Sequence, residues 1–561
     1  DYWTVRGQFS VNRKYSNGER FIDPLSSKTT ASPRDGGHNL GDLYVDNGNN
    51  LSWNANAALY YTRSFNKHNL NLSVAWEASS GSSDATSAHY RGFPNGQFHS
   101  PNYAAEIYEK PSRTEGTSRM VSTWATGNYT WNDIYLADFS VRFDGSSDFG
   151  SKQRWAPFFS GGLGVNIHNY EFLKGNEIVN KLKVRASYGR TGKASFPSYA
   201  ATTMYEALFD EWYATGFGAV LKALGNNNLS WEKTDKFNVG IEMQFLNRRL
   251  TVDADYYHDK TIDLVNDVSL SQTSGFSSYK DNMGEVLNQG FELQVRGEVF
   301  RNRDWLVALW GNMAHNKNKI VKISDSQRAY NLRVEQFYQN SANEEYGRYN
   351  AQYAVPISQY EEGQSLTSIW AVKSLGIDPT TGKEIFLNRD GSVSDTWNAT
   401  QEVVVGNTEP KFNGSVGFNL AYKAWSLFAA FQYEWGGQEY NQTLVDRVEN
   451  ARIQYQNVDL RVLTDRWKQP GDIAQFKDIK NADNVTMPTS RFVQDKAYLR
   501  LSALTLSYDF NREWIKKHLG MNMLRLEAST RDFINWNSIR QERGLSYPKS
   551  WTVDFSIKAQ F

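Results

Sequence analysis

Trp551-Thr552-Val553-Asp554-Phe555-Ser556-Ile557-Lys558-Ala559-Gln560-Phe561 keeps an unbroken period of two. Trp551, Val553, Phe555, Ile557, Ala559 and Phe561 fall on one side, and Thr552, Asp554, Ser556, Lys558 and Gln560 on the other. Such a segment is a strand with one apolar and one polar face. In a soluble sandwich the apolar face meets a second sheet. In an outer-membrane barrel it meets lipid, and the polar face lines the interior.

Working back from this strand, the same grammar recurs. Phe412, Gly414, Val416, Phe418, Leu420 and Tyr422 alternate against Asn413, Ser415, Gly417, Asn419 and Ala421. Trp53 to Tyr61 and Leu70 to Trp76 flank a turn at Asn66-Lys67-His68, and Val121 to Trp131 and Tyr135 to Phe143 flank Asn132-Asp133, which reads as two hairpins. Further strands are expected near 155–167, 180–190, 229–245, 249–262, 284–299, 304–316, 367–377, 385–390, 425–436, 497–510 and 522–533. Long connections (15–50, 80–116, 191–228, 263–283, 317–366, 391–408, 437–496) are separated by short ones such as Leu246-Asn247-Arg248 and Lys423-Ala424. Counted back from Phe561, every long connection falls at the same end through about eighteen strands, a parity expected of an outer-membrane barrel with short turns inside and long loops outside. A sandwich has no reason to keep it. The pair around Asp378-Pro379-Thr380-Thr381-Gly382 could instead be an excursion outside the membrane, which changes the count by two and leaves the parity. Arg512 to Leu519 reads as a helical turn at a periplasmic connection.

Composition agrees. The 61 basic and 61 acidic residues cancel, so there is no electrostatic case for nucleic acid or an anionic membrane surface. Mean hydropathy is −0.62, and no run approaches the roughly 20 apolar residues of a spanning helix. Helical membrane proteins are excluded, whereas barrels hide their lipid-facing residues among polar ones. Aromatic content reaches 14%, with 31 Tyr, 31 Phe and 18 Trp, suiting residues that sit at membrane interfaces. With no cysteine, disulfides, thiolate metal sites and a cysteine nucleophile are ruled out. No charged-then-apolar leader precedes Tyr2, and Trp3, Val5, Gly7, Phe9 and Val11 already alternate. The natural amino terminus is therefore expected upstream.

Several segments resemble the SusC-like (SusC/RagA) TonB-dependent transporters of Bacteroidetes. They are Arg142-Phe143-Asp144-Gly145-Ser146-Ser147 with Phe149-Gly150 and Arg154-Trp155, Gly162-Leu163-Gly164-Val165-Asn166-Ile167, and Lys183 to Gly192. Asn228 to Thr234 with Phe237-Asn238-Val239-Gly240, Tyr256-Tyr257 before Asp263-Leu264, and Asn282 to Val286 before Asn288-Gln289-Gly290 continue the match. Val405 to Phe412 and Tyr498-Leu499-Arg500-Leu501 close it. The resemblance, over about residues 50–561, implies a 22-stranded all-β transmembrane barrel with an amino-terminal plug. It also implies import driven by the TonB complex and a SusD-like surface lipoprotein as partner. Residues 1–561 then form the barrel, with plug, TonB box and the first four strands upstream. The terminal segment Trp551, Val553, Phe555, Ile557, Ala559 and Phe561 is similar to a barrel assembly signal. Gly145, Gly189 and Gly290 are expected at bulges or tight turns.

No catalytic constellation, metal-ligand spacing or cofactor motif stands out among the eight histidines and the carboxylates. Asn388-Arg389-Asp390-Gly391-Ser392 lacks the later acidic ligand of a calcium loop and reads as a turn. Trp212, Tyr213, Tyr338, Tyr346, Tyr349, Tyr353, Tyr360 and Trp397 lie in or beside long loops, where aromatic faces suit ligand or lid contact. Packing of the loops is the competing reading. Arg185, Glu242, Asp253, Glu292, Arg525 and Glu527 occupy polar strand positions and are expected to line the lumen. The leading function is import of a glycan or oligopeptide through lipid, without covalent chemistry. A passive porin, a surface adhesion or secretion scaffold, and a barrel enzyme are the alternatives.

Overall fold

The computed structural model turns the alternating segments into one antiparallel meander. It describes residues 2–26, 28, 40–193, 199, 201–214, 216–269, 278–282, 284–340, 351–454, 458–481, 485–540 and 550–561. The first strands are β1 (Trp3–Ile22), β2 (Asp42–Phe65), β3 (His68–Arg91), β4 (Glu106–Trp131), β5 (Tyr135–Ser146), β6 (Trp155–Asn166) and β7 (Val179–Lys193). An outlying hairpin of β8 (Met204–Tyr213) and β9 (Gly216–Ala223) precedes β10 (Glu232–Phe245) and β11 (Leu250–Ile262). A second, β12 (Val265–Ser269) and β13 (Ser278–Asn282), precedes β14 (Glu285–Arg301) and β15 (Trp305–Lys322). Then come β16 (Ser368–Ile377), β17 (Glu384–Leu387), β18 (Val393–Ser394) and β19 (Glu402–Asn407), which form a sheet of their own. The meander resumes with β20 (Phe412–Tyr422), β21 (Trp425–Tyr440), β22 (Val493–Asp509), β23 (Met523–Thr530), β24 (Asn535–Asn537) and β25 (Val553–Gln560).

The main sheet has 17 strands among the described residues. Because β23 and β24 pair with successive stretches of β22, they are two arms of one crossing, leaving sixteen. That is two fewer than the sequence count, because 367–377 and 385–390 fall in the separate β16–β19 sheet. Long and short connections still alternate. Among the described residues β1 pairs only with β2, and β25 only with β23, so both ends of the meander are open edges.

Register explains the two faces. Val5, Leu59, Val74, Ala125, Val141 and Phe159 are paired in one row across six strands, and all but Ala125 are exposed. A row of exposed aliphatic and aromatic groups inverts the arrangement of a water-soluble sheet. Beside the short turns, Trp305, Tyr422, Trp425 and Tyr508 make a second row, with ring centroids 4.3 Å apart for Trp305–Tyr422 and 4.8 Å for Trp425–Tyr508. Such girdles mark the edge of an apolar band. The tight three-residue turn from Asn132 to Ile134 has φ of 52° and 56° at Asn132 and Asp133, left-handed values that asparagine and aspartate tolerate.

Two expectations are corrected. Residues 15–22, 42–50, 80–91 and 106–116, expected in polar connections, are strand, because β1 to β4 run on well past their apolar parts. Where both faces are wet, pairing no longer requires an apolar partner on one side. Nor do Gly145, Gly189 and Gly290 mark bulges. A Cβ on Gly145 would come within 2.6 Å of the Trp155 ring, and one on Gly189 within 2.6 Å of Ser160 Cβ. On Gly290 it would strike the His315 carbonyl oxygen. These glycines admit a neighbour from the adjacent strand.

Candidate functional site

The polar face carries its densest charge on β7, β10, β11 and β14. Register places Lys183, Glu242, Asp253 and Gln294 in one row, and Arg185, Gly240, Asp255 and Glu292 in the next. Glu242 receives Lys181 at 2.6 Å and Lys183 at 3.2 Å. Arg185 reaches two strands across, its Nη2 donating to Asp255 Oδ1 at 2.6 Å and its Nη1 to Asn238 Oδ1 at 3.1 Å. It passes over Gly240, where a Cβ would lie 2.9 Å from the guanidinium carbon. On the far side of the meander Arg525 pairs with Asp509 at 2.6 Å and Glu527 with Lys558 at 2.8 Å. Asp253 lies opposite Glu242, and Glu292 opposite Asp255.

The long connections build an outer cap. The helix Asp325–Asn340 brings Tyr338 against Trp397, ring centroids 5.4 Å apart, and Phe337 against Tyr353 at 4.8 Å. Tyr338 is 1% exposed; its hydroxyl donates to the Val355 carbonyl at 2.6 Å and accepts from Ile357 N at 3.1 Å. Trp397 Nε1 donates to the Pro488 carbonyl at 2.9 Å. Tyr338 and Tyr353 therefore pack the cap and present little surface, while Trp397 is half-buried against them. Tyr360 is half-buried, its backbone held by Asn331. Trp212 and Tyr213 lie on β8; Tyr346 and Tyr349 lie outside the described residues. Asn388 to Ser392 is a hairpin turn, with Gly391 at φ 83° and Asp390 Oδ1 accepting from Ser392 N at 2.9 Å.

Two buried carboxyls hold the cap together, and neither was singled out in the sequence. Glu449, fully buried, accepts from Arg491 Nη2 at 2.6 Å, and the same nitrogen reaches Glu384 on β17 at 2.8 Å. Burial alone would raise the Glu449 carboxyl, but Arg491 prevails and holds it below its ordinary range. Glu402 is 1% exposed and lies opposite Val372 in the small sheet. Gln359 Nε2 donates to its Oε2, while Oε1 has no protein partner. Burial pushes Glu402 up to about 8. The one sequence signal for Glu402 was a carboxylate opening the apolar run Val403-Val404-Val405; Glu449 had none, since its partner is 42 residues away.

Where β20 stops short of β15 and β21, the wall has a notch. Pairing of β15 with β20 ends at Ala314–Asn413, although β14 follows β15 to Lys322. The segment Val405 to Phe412 fills part of the gap: Glu409 accepts from Asn316 Nδ2 and, at 3.1 Å, from Asn318 N. A cavity of about 750 Å³ remains between wall and cap, with His315, Glu409, Trp435 and Lys496 among its lining. Other motif segments meet nearby in sequence order but at another rim position. Trp231 stacks on Phe149 at 4.2 Å and donates to the Arg154 carbonyl at 3.2 Å, and Asn282 Nδ2 donates to the Ser230 carbonyl at 2.8 Å. Among the described residues, no group of three or more His, Cys, Asp or Glu side chains could hold a metal ion.

The family model described as TonB dependent receptor-like, beta-barrel matches residues 1–529. The chain is 27% identical over 515 residues to TonB-dependent receptor P3 of Formosa agariphila, an alignment covering 88% of this chain and 48% of that protein. It is 29% identical over 340 residues to TonB-dependent receptor SusC of Bacteroides thetaiotaomicron, covering 57% and 32%. In fold it is similar to the RagAB peptide importer in its open-open state, with a TM-score of 0.82 and 22% identity, covering 100% of this chain and 59% of that one. The chain thus spans about half the length of the curated relatives it matches.

Proposed function

Because the chain belongs to the TonB dependent receptor-like β-barrel family, and so to the bacterial outer membrane, we propose that it is the barrel wall of an energised importer. Its cargo is a glycan or an oligopeptide, delivered by a SusD-like surface lipoprotein. Coupling to the TonB complex runs through a plug that lies outside residues 1–561. The observation that carries this reading is the pairing of a lipid-facing wall with a folded outer cap and a charged interior. A wall alone would suffice for diffusion; the cap, with its buried ion pairs, gives a partner a fixed surface, and the charged rows give a plug its grip.

The two open edges support the domain reading. Unpaired backbone groups in hydrocarbon cost several kcal/mol each, so β1 and β25 are completed by strands from outside residues 1–561. If the barrel has 22 strands, six are needed. Val553, Phe555 and Ile557 stay exposed on β25, with Phe561 exposed just beyond it, where an assembly machine engages them. Trp212, Tyr213 and Tyr360 remain the loop aromatics proposed for ligand or lid contact. Nothing in the reading calls for a cofactor or covalent chemistry.

The test is uptake by cells carrying the full-length protein, with and without TonB, alongside a pull-down in mild detergent. Import that stops without TonB and co-purification of a surface lipoprotein are expected. Solute diffusion into liposomes holding the full-length protein alone would identify a porin instead. Surface attachment without uptake would identify an adhesin.

A further inference from the structure

The lipid-facing wall carries a second aromatic row at the end away from the short turns. Phe291 on β14, His315 on β15, Phe412 on β20 and Trp435 on β21 follow one another across four strands, with ring centroids 5.4, 5.6 and 6.1 Å apart. Ten residues of β15 separate His315 from Trp305 in the row beside the short turns, and the outward positions between them are Val307, Leu309, Gly311 and Met313. At about 3.4 Å per residue and a tilt of about 40–45°, that stretch rises roughly 25 Å, the height of an apolar band between its girdles. The His315 row therefore marks the outer edge of the hydrocarbon.

Lysines stand directly above this row. Lys317 and Lys319 are the next two outward positions of β15, and Lys411 precedes Phe412; all three are exposed. The Lys411 carbonyl accepts from His315 Nδ1 at 2.6 Å, which ties Lys411 to the row, and Lys317 and Lys411 border the same notch cavity of about 750 Å³. Register puts Arg190, Asp235, Lys260, Leu287 and Lys319 side by side on the outward face. There Arg190 is matched by Asp235 at 2.6 Å and Lys260 by Glu285 at 2.8 Å. Among the described residues no ion pair joins Lys317, Lys319 or Lys411 to a carboxylate. Glu409 and Asp495 also border the cavity, but Glu409 is held by Asn316 and Asn318 of the polar face and Asp495 by Gln438 Nε2 at 3.2 Å. The cavity's other lysine, Lys496, pairs with Glu439 at 3.1 Å.

We infer that Lys317, Lys319 and Lys411 form a site for the phosphate of an outer-leaflet glycolipid, whose acyl chains lie on the apolar band below. The site needs only a barrel in the outer membrane and is independent of what the barrel imports. Basic clusters at the end of a membrane-spanning segment attract anionic headgroups, and a lysine ammonium serves phosphate as a point charge. Long stems let these groups reach headgroup level while their methylenes stay on the wall. Depth selects a lipid over a soluble anion. The lysines begin one outward position above the hydrocarbon edge, so a phosphate held there is continuous with chains that cover Leu309 and Phe418, which pair on the outward face. Such a lipid also covers the wall where β20 stops short of β15 and backbone pairing is interrupted.

The test uses the full-length protein in mild detergent, titrated with fluorescent lipid A that carries phosphate and, separately, with dephosphorylated lipid A. Tighter binding of the phosphorylated form is expected, weakened about tenfold or more by Lys317→Gln, Lys319→Gln and Lys411→Gln together and kept when the same three positions become arginine. Arg190→Gln with Asp235→Asn, which removes a matched pair from the neighbouring strands, should leave binding unchanged. Heat-modifiable migration checks that each variant has folded; if the triple variant has not, Lys317→Gln alone is read, with an expected loss of about threefold. Equal binding of the two lipids, or unchanged binding in the glutamine variants, would overturn the site. An equal loss in the Arg190→Gln, Asp235→Asn variant would do the same. Displacement of the lipid by inorganic phosphate, but not by chloride at equal ionic strength, would show a site for a soluble anion in its place.

Discussion

Glu402 and Glu449 are buried in the same outer cap and are stabilised in opposite ways. Glu449 stays ionised because Arg491 bridges it to Glu384. Removing the arginine takes away the cation that bridges the two carboxylates and leaves Glu449 only the weaker influence of Lys477 and Arg466, so Arg491→Ala should loosen the cap by about 3–5 kcal/mol. Arg491→Lys should recover little, since one ammonium cannot reproduce the fork. Limited proteolysis of the cap in rising urea reads both. Glu402 lacks a cation on its carboxyl, as the Arg389 guanidinium binds its backbone carbonyl at 3.0 Å. Its carboxyl rises from an ordinary 4.5 to about 8 on folding, so the folded state favours the proton. The stabilisation is fully present below pH 4.5 and lost as pH climbs through about 8. The cap should therefore open more readily at pH 9 than at pH 6, and Glu402→Gln should flatten that difference. Equal protease sensitivity of the parent protein at both pH values would refute this.

At the scale of the element, strands are joined by close approach as much as by alternation. Gly145 on β5 lies under the Trp155 ring of β6, whose partner Phe143 stacks on it at 5.4 Å. Gly145→Val should displace the ring and cost about 1–3 kcal/mol, seen as a lower temperature for loss of the compact form on gels. Trp155→Leu in the same chain should recover part of it. Strand positions, turns and the helix at Arg512–Leu519, capped by Asn511 and ended by Gly520 at φ 67°, were legible because each depends on nearby residues. The reach of β1 to β4 beyond residues 15 and 80 was not, because a strand wet on both faces loses its alternation.

For the molecule as a whole, the open edges of β1 and β25 decide what residues 1–561 can do alone. Expressed by themselves, they should fail to give a heat-modifiable barrel. A chain that also carries the proposed further strands should give one. A stable barrel from residues 1–561 would mean that β1 and β25 can pair directly. The aromatics show the same limit at the site. Tyr338, Tyr353 and Trp397 looked like contact residues because they lie in a long loop. Only the folded cap places Tyr338 and Tyr353 inside a core around the helix Asp325–Asn340, with Trp397 half-buried against it.

What the sequence determined by itself was the wall: the two faces, the turns, the parity of short and long connections, and with them a barrel in lipid. Those properties follow from backbone geometry over two to a few residues, which period and turn chemistry report directly. Only the tertiary structure decided that β16 and β17 leave the wall, that Arg491 locks Glu449 to Glu384, and that Glu402 is buried without a cation on its carboxyl. Each of these depends on residues brought together from tens to hundreds of positions apart, and burial, not sequence spacing, sets what such neighbours do to one another.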